Sequence, residues 1–316
     1  MNWNKPTLKG MNMIVITLII IFYILYASFG RVHWSADVLA TFLDYALLLL
    51  IILVGWLVWT NQWGMATLGL IAVLWGGFDL INFPLTPLKL SHPTEMRLMV
   101  FNVYFQNTGI EAVMAEIKRH DPDLIYLMEY PSNANPTMRL DLAADYPYQI
   151  IEPSRFTMGT ALFSKFPIVR SEVHQFAGTR IPITEAVIDV NGEHLTFVGG
   201  HPWPPLPQWG QLHREQLDDV IGVAAAVDET QMPLIVAGDF NTPPTAYMLN
   251  KLAAEANVRQ VRQRFDFRKT YFPYPLVAMS LDHVFVSDKI WVGGYFFGNS
   301  AGSDHVPLVV DFSLAP

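Results

Sequence analysis

The stretch "VAGDFNTPP", Val236 to Pro244, decides how this chain is read. An apolar run ends in Gly-Asp-Phe-Asn and then meets a Thr-Pro-Pro turn. Side chains alternate faces along a strand, so Asp239 and Asn241 are expected on one side with Phe240 opposite. Gly238 allows another group to approach the backbone closely, and Pro243 stops the strand. Two oxygen-bearing side chains on one side of a strand end suit a hard cation or a phosphate. Asp and Asn also cap ordinary turns, so the stretch alone leaves both readings open.

The surrounding sequence reads as α/β with many strands. "QLHREQLDDVIGVAAAV" is a helix that leads into the strand "PLIVAGDFN". Upstream, "RLMVFNVYF" is a strand and "GIEAVMAEIKRHDPD" has the apolar spacing of an amphipathic helix. "LIYLME" is a buried strand ending at Glu129. "GTALFSKFPI" and "TEAVIDVNGEHLTFVGGH" hold further strands, the second with an Asn-Gly hairpin turn. "SLDHVFVS" and "HVPLVVDFS" complete the set. Polar groups recur where these strands stop or start: Asn102, Glu129, His201, Asp239 with Asn241, Asp282 with His283, and Ser303, Asp304 and His305. Each could be a cap or a satisfied core group. Gathered at strand ends, they are what a metal-assisted site in a layered sheet requires.

In order and approximate spacing, "FNVYFQN", "IYLMEY", "GTALFSKFPI", "GGHP", "GDFNTPP", "LDHVFVS" and "SDHVPLVV" resemble the endonuclease/exonuclease/phosphatase superfamily. The resemblance covers Arg97 to about Phe312. It implies a four-layered α/β sandwich, two packed mixed sheets flanked by helices, and hydrolysis of a phosphoester by water with Mg²⁺ or Mn²⁺. A hard divalent ion takes carboxylate oxygen and keeps several waters, so a few acids suffice. By the resemblance, Glu129 is the main metal carboxylate, Asn102 the asparagine beside it, and Asp304 a further acid on the metal side. His201 would donate to the scissile phosphate, while Asp239 and Asn241 position the attacking water and a phosphate oxygen. His305, oriented by Asp282, would serve as general acid/base or stabilise charge on phosphorus. The sequence departs from some DNA-repair members at Val103-Tyr104, where they carry an acid. His283 reads as a packing residue, and Asn107 as support for the site.

Before this domain the composition changes. Of 316 residues, 52% are hydrophobic, which is high for a globular chain. The excess lies in three runs: Met11 to Phe29, Val38 to about Trp59, and about Trp63 to Phe83. Each is long enough to cross a hydrocarbon core needing ~20 residues, and the first is too long for a signal peptide and lacks an A-x-A site. The expectation is a membrane domain of three transmembrane helices at 1–84, a linker at 85–96 and a catalytic domain at 97–316. Lys5 and Lys9 against Arg31 favour a cytoplasmic amino terminus, which places the domain outside the cytoplasm. The pattern is similar to a membrane-anchored bacterial branch of the superfamily, and so implies a multi-pass protein of the bacterial inner membrane. Asp44 and Asp79, within the apolar runs, are candidates for a lipid path.

Residues after Pro84 carry 17 Lys+Arg against 25 Asp+Glu, a net −8, and an acidic domain binds nucleic acid poorly. One basic cluster, Arg259 to Lys269, runs against this. The loop after His201 carries Trp203 and Trp209, and "TYFPYP" adds Tyr271, Phe272 and Tyr274. These aromatics favour a membrane lipid or lipid-linked phosphate as substrate. The alternatives are a tethered nuclease acting on DNA or RNA and a catalytically idle scaffold. The complete motif set argues against the idle scaffold. No protein partner is legible.

Overall fold

The computed structural model describes residues 8–82, 85–88, 94–133, 135–154, 156–228, 230–264, 266–274 and 277–315. Four helices come first: α1 (Leu8–Phe29), α2 (Ser35–Ala40), α3 (Leu43–Trp59) and α4 (Trp63–Asn82). Two six-stranded sheets follow. One has the order β13 (Ile290–Phe297), β14 (Leu308–Leu314), β1 (Met96–Asn102), β2 (Leu124–Met128), β4 (Thr160–Ser164) and β3 (Tyr148–Glu152). The other runs β5 (Ile168–Gln175), β6 (Pro182–Val190), β7 (Glu193–Gly200), β8 (Leu234–Asp239), β12 (Asp282–Val286) and β9 (Arg259–Gln260). A separate hairpin joins β10 (Tyr271–Tyr274) to β11 (Val277–Met279).

Each sheet contains one parallel pair, β1 with β2 and β7 with β8. A parallel pair needs a crossover, and helices α5 (Ile110–His120) and α7 (Gly210–Asp228) supply the two. α5 and α6 (Asn135–Leu142) cover the outer face of the first sheet, and α7 and α8 (Tyr247–Glu255) that of the second. The sheets face each other across Leu98, Val100, Tyr126, Phe197, Ile235, Val284 and Val310. The result is helix, sheet, sheet, helix. Alternation along the strands then fixes where the polar ends point. Leu98 and Val100 face the partner sheet, so Asn102 does too. Ile235 and Ala237 carry Asp239 the same way, Leu195 and Phe197 carry His201, and Val284 carries Asp282. His283 and Phe285 turn to the other side, toward α7 and α8.

Gly238 shows what approaches the backbone. A Cβ placed there would lie 1.9 Å from the carbonyl oxygen of Gly200, so the ends of β7 and β8 come together only because the side chain is missing.

The expectation of three membrane helices is overturned. Among the described residues, no helix is long and apolar enough to cross a membrane. The second apolar run breaks between α2 and α3 at Thr41 and Phe42, leaving α3 with 17 residues, about 26 Å at 1.5 Å per residue against a core of about 30 Å. With the crossings go the argument for a multi-pass inner-membrane location with an extracytoplasmic domain, and the likeness to a membrane-anchored branch. The apolar residues instead bury one another and the rest of the chain: Tyr23, Tyr26, Leu43 and Leu50 cluster with Ala246, while Leu48, Ile52, Leu74 and Phe78 face outward and exposed. Polar ties reinforce this. Tyr26 donates to the carbonyl of Thr245 at 2.9 Å, and Tyr45 to that of Ala278 at 2.7 Å. Asp44 pairs with Lys269, and the side chain of Asp79 lies outside the described residues. In the stretch read as linker, Leu85 bridges Gln260 and Leu88 bridges Val292.

Candidate active site

At the end of the intersheet layer one carboxylate oxygen collects the site. Oδ2 of Asp239 accepts from Nδ2 of Asn102 at 3.0 Å, and the Nε2 atoms of His201 and His305 each lie 3.6 Å from it. Asp239 is buried. Burial alone would raise its carboxyl, but His305, His201 and the bonds from Asn241 and Asn102 hold it below the usual carboxylate value.

Nδ2 of Asn102 also donates to Oε1 of Glu129 at 3.1 Å, so two carboxylates share one amide. Glu129 adopts φ +53°, in the left-handed region. That turn stops β2 and swings the side chain to the cleft, where its Oε2 accepts the amide of Phe105 at 3.1 Å. Burial raises the Glu129 carboxyl against the pull of His201. Two carboxylates sharing one amide, one buried and one half-buried, repel unless a cation joins them, and both offer hard oxygen. The set fits a divalent ion of the Mg²⁺ type. Asp304 is half-buried; its charge bears on Tyr271 and His305.

His305 donates from Nδ1 to Oδ2 of Asp282 at 2.8 Å, which leaves Nε2 toward Asp239. Although burial disfavours the charged ring, Asp282 and Asp239 push His305 up to about 9. Asp239, Asp282 and His305 also bring ligand atoms within 4.8 Å of one another. That group differs from the metal set expected from the sequence, Asn102, Glu129 and Asp304. A protonated imidazole bound to its own carboxylate is a poor cation ligand, so the Glu129 side is the better seat.

Within Val236–Pro244 one expectation changes. Phe240 is opposite Asp239 as expected, buried among Val236 and Phe285. Asn241, however, is no longer in the strand: its φ is +49°. Its amide turns back to Oδ1 of Asp239 at 2.9 Å, and Nδ2 donates to the carbonyl of Pro202 at 3.0 Å. Asn241 therefore forms a turn, and that turn holds the Asp239 carboxylate through the Asn241 amide.

Other groups were less legible. Oγ of Ser303 donates to the carbonyl of Asn102 at 2.7 Å and accepts the amide of His305 at 3.0 Å, fastening β1 to the His305 loop. Oγ1 of Thr270 accepts the amide of Asp282 at 3.1 Å, and the Tyr271 ring lies 4.6 Å from that of His305. The Phe105 amide had no signal in the sequence, since any residue supplies one. Asn107 braces its loop by donating to the carbonyls of Val103 and Ala301, both at 3.1 Å. His283 bonds Gln260 and the carbonyl of Thr242, a packing role. A second acid–histidine group, Glu172, His174 and Glu185, sits on the β5–β6 edge, where Arg170 neutralises Glu185.

The fold has solved counterparts. The human Nocturnin catalytic domain matches with a TM-score of 0.59 at 20% identity, covering 70% of this chain and 94% of that one. TDP2 of D. rerio, complexed with a single-strand DNA product, matches with a TM-score of 0.58 at 16% identity, covering 69% and 98%. A mannosyl-6-phosphatase of Bacteroides thetaiotaomicron matches with 0.56 at 16%, covering 70% and 100%. No curated protein matches significantly in sequence. The family model for the Endonuclease/Exonuclease/phosphatase family matches residues 99–305, a span that begins just before Asn102, ends on His305 and holds every polar strand end described above. The chain is a member of that family of phosphoester-hydrolysing enzymes.

Proposed function

We propose that the chain cleaves a phosphate ester or pyrophosphate by Mg²⁺- or Mn²⁺-assisted attack of water. The observation that carries this reading is the convergence of Asn102, His201 and His305 on one oxygen of a buried Asp239. Glu129, with Asn102 beside it and Asp304, next to His305, as a further acid, would hold the ion; when bound it supplies positive charge to the phosphoryl oxygens and makes a coordinated water more acidic. Asp239, fixed by the Asn241 amide, receives the proton of the attacking water. His201 and the protonated His305 donate to phosphoryl oxygens as charge builds on them. Asp282 fixes the ring of His305 and keeps it charged, so His305 acts as a donor rather than a base.

For the substrate we favour an amphiphilic ester such as a lipid-linked phosphate. Trp203 and Trp209, in the loop after His201, lie with ring centroids 4.6 Å apart, and the Tyr271 ring lies 4.6 Å from that of His305. Three of the five cations of the basic cluster have partners within the chain, which weakens its case for nucleic acid, although Arg259 and Arg264 are exposed. Arg262 is buried on Ser280, Arg268 pairs with Asp266 and Lys269 with Asp44. The test is a substrate series on the full chain with Mg²⁺ and then with EDTA. It compares a lipid pyrophosphate, a phospholipid, a sugar phosphate and single-stranded DNA. Metal-dependent turnover fastest on a lipid substrate supports the proposal; turnover confined to DNA overturns the substrate class, and turnover of none overturns the activity.

A further inference from the structure

α7 holds a histidine that the reaction does not use. His213 is fully buried on the first turn of that helix. Its Nδ1 lies 2.6 Å from the carbonyl oxygen of Trp203, and its Nε2 lies 2.8 Å from Oγ1 of Thr242. A carbonyl can only accept, so Nδ1 carries the proton. Nε2 then accepts from the Thr242 hydroxyl, and the ring is neutral in one defined tautomer. Burial, which pushes His213 down to about 4, agrees with a neutral ring.

The two partners belong to different loops. Trp203 is two residues past His201, and Thr242 directly follows Asn241. One residue of α7 therefore spans the loop that carries the phosphate-facing histidine and the turn that aims Asp239. Three residues on, Gln216 accepts the Trp203 amide on Oε1 at 2.7 Å, so α7 grips both the amide and the carbonyl of Trp203. The neighbour Arg214 points the other way. It donates to the carbonyl of Gly30 at 2.6 Å and meets Asp37 at 3.3 Å, and the start of α7 sits against Trp34. The helix is thus wedged between the amino-terminal helices and the two loops.

We infer that His213 is a positioning residue that sets the spacing of His201 from Asp239 by tying Trp203 to Thr242. This rests on the reading of those two residues as catalytic. A misplacement of about 1 Å can lower turnover by about 100-fold, and loss of a group that orients a ligand-bearing residue lowers it by about 10- to 100-fold. The tests use the full chain with bis(p-nitrophenyl) phosphate and Mg²⁺. His213→Leu and Thr242→Val each remove the Nε2 bond, and His213→Asn keeps a donor where Nδ1 was. The expected result is a kcat lower by about 10- to 100-fold in His213→Leu, a smaller drop in Thr242→Val and partial recovery in His213→Asn. KM and Mg²⁺ affinity, measured by calorimetry, stay within about threefold, because Glu129 is not on either loop. Imidazole ¹⁵N spectra of the wild type should show His213 protonated on Nδ1. Wild-type kcat in Thr242→Val and in a folded His213→Leu overturns the inference, as does an Nε2-protonated ring. An active Glu129→Gln control instead overturns the reading of the site itself.

Discussion

Asp282 never faces the phosphate in the proposed reaction, yet the charge of His305 depends on it. Its carboxylate accepts a hydrogen bond from Nδ1 at 2.8 Å and is the leading charge that pushes the ring up to about 9. Asp282→Asn should let His305 titrate nearer the ordinary histidine value and lower kcat by about 100-fold or more, since the ring then loses both charge and a fixed tautomer. An NMR titration of His305 with parallel kinetics checks both. A second pH effect concerns the neutral histidines His213 and His283, each pushed down by burial to about 4 from 6.5. Between those values the unfolded chain binds more protons, so stability falls as pH drops from 6.5 toward 4. The slope is up to about 1.4 kcal/mol per pH unit for each ring. Asp37, raised by burial from 3.8 to about 7, acts in the opposite sense over the same window. The check is therefore a comparison of denaturant melts: in His283→Gln stability should fall less than in the wild type as pH drops, by one proton's worth. At this scale the sequence was informative where a motif had a fixed order of polar residues, as at Asn102, Glu129, Asp239 and His305. It was silent where the working group is a backbone amide, as at Phe105, or a residue whose partners lie far along the chain, as for His213.

The site exists because strand ends from two sheets stop in one place, and the tightest of these stops is β7 against β8. A Cβ at residue 238 would meet the Gly200 oxygen at 1.9 Å, so Gly238→Ala must separate the two strands. Overpacking of this kind costs about 1–3 kcal/mol, and here it also shifts Asp239 from His201. The variant should melt earlier and lose most of its activity; wild-type stability and activity together would show that the approach is not required. Central strands and long helices were legible because burial on one or both faces writes a period into the sequence. β2, β8 and β12 were read within two residues, while β1 was read three residues too long at its end. Edge elements were not: β5 has most of its side chains exposed, and the β10–β11 hairpin carries a proline in its first strand. The apolar runs before residue 84 misled for a related reason. Hydropathy sums over a segment without saying which side chains pack: part of these runs clusters with Ala246, while Leu48, Ile52, Leu74 and Phe78 are exposed.

Across the molecule, charge and packing divide the labour. The residues after Pro84 carry a net −8, and within the local basic cluster Arg262, Arg268 and Lys269 each have a partner in the chain. The amino-terminal helices meet the rest of the chain through Tyr26, Asp37, Asp44 and Tyr45, so they belong to the support of the site rather than to a detached module. What the whole arrangement delivers is a cleft in which Asp239 faces Asn102 and two histidines while Glu129 stands ready for a hard cation. The most direct measurement is the Mg²⁺ dependence of hydrolysis by the full chain and its Asp239→Asn variant, on whichever substrate the series shows to be turned over fastest. The account predicts a wild type that EDTA silences and Mg²⁺ restores, and a folded variant slower by about 1,000-fold or more at saturating Mg²⁺. A variant that keeps the wild-type rate, with the same metal dependence, would contradict it.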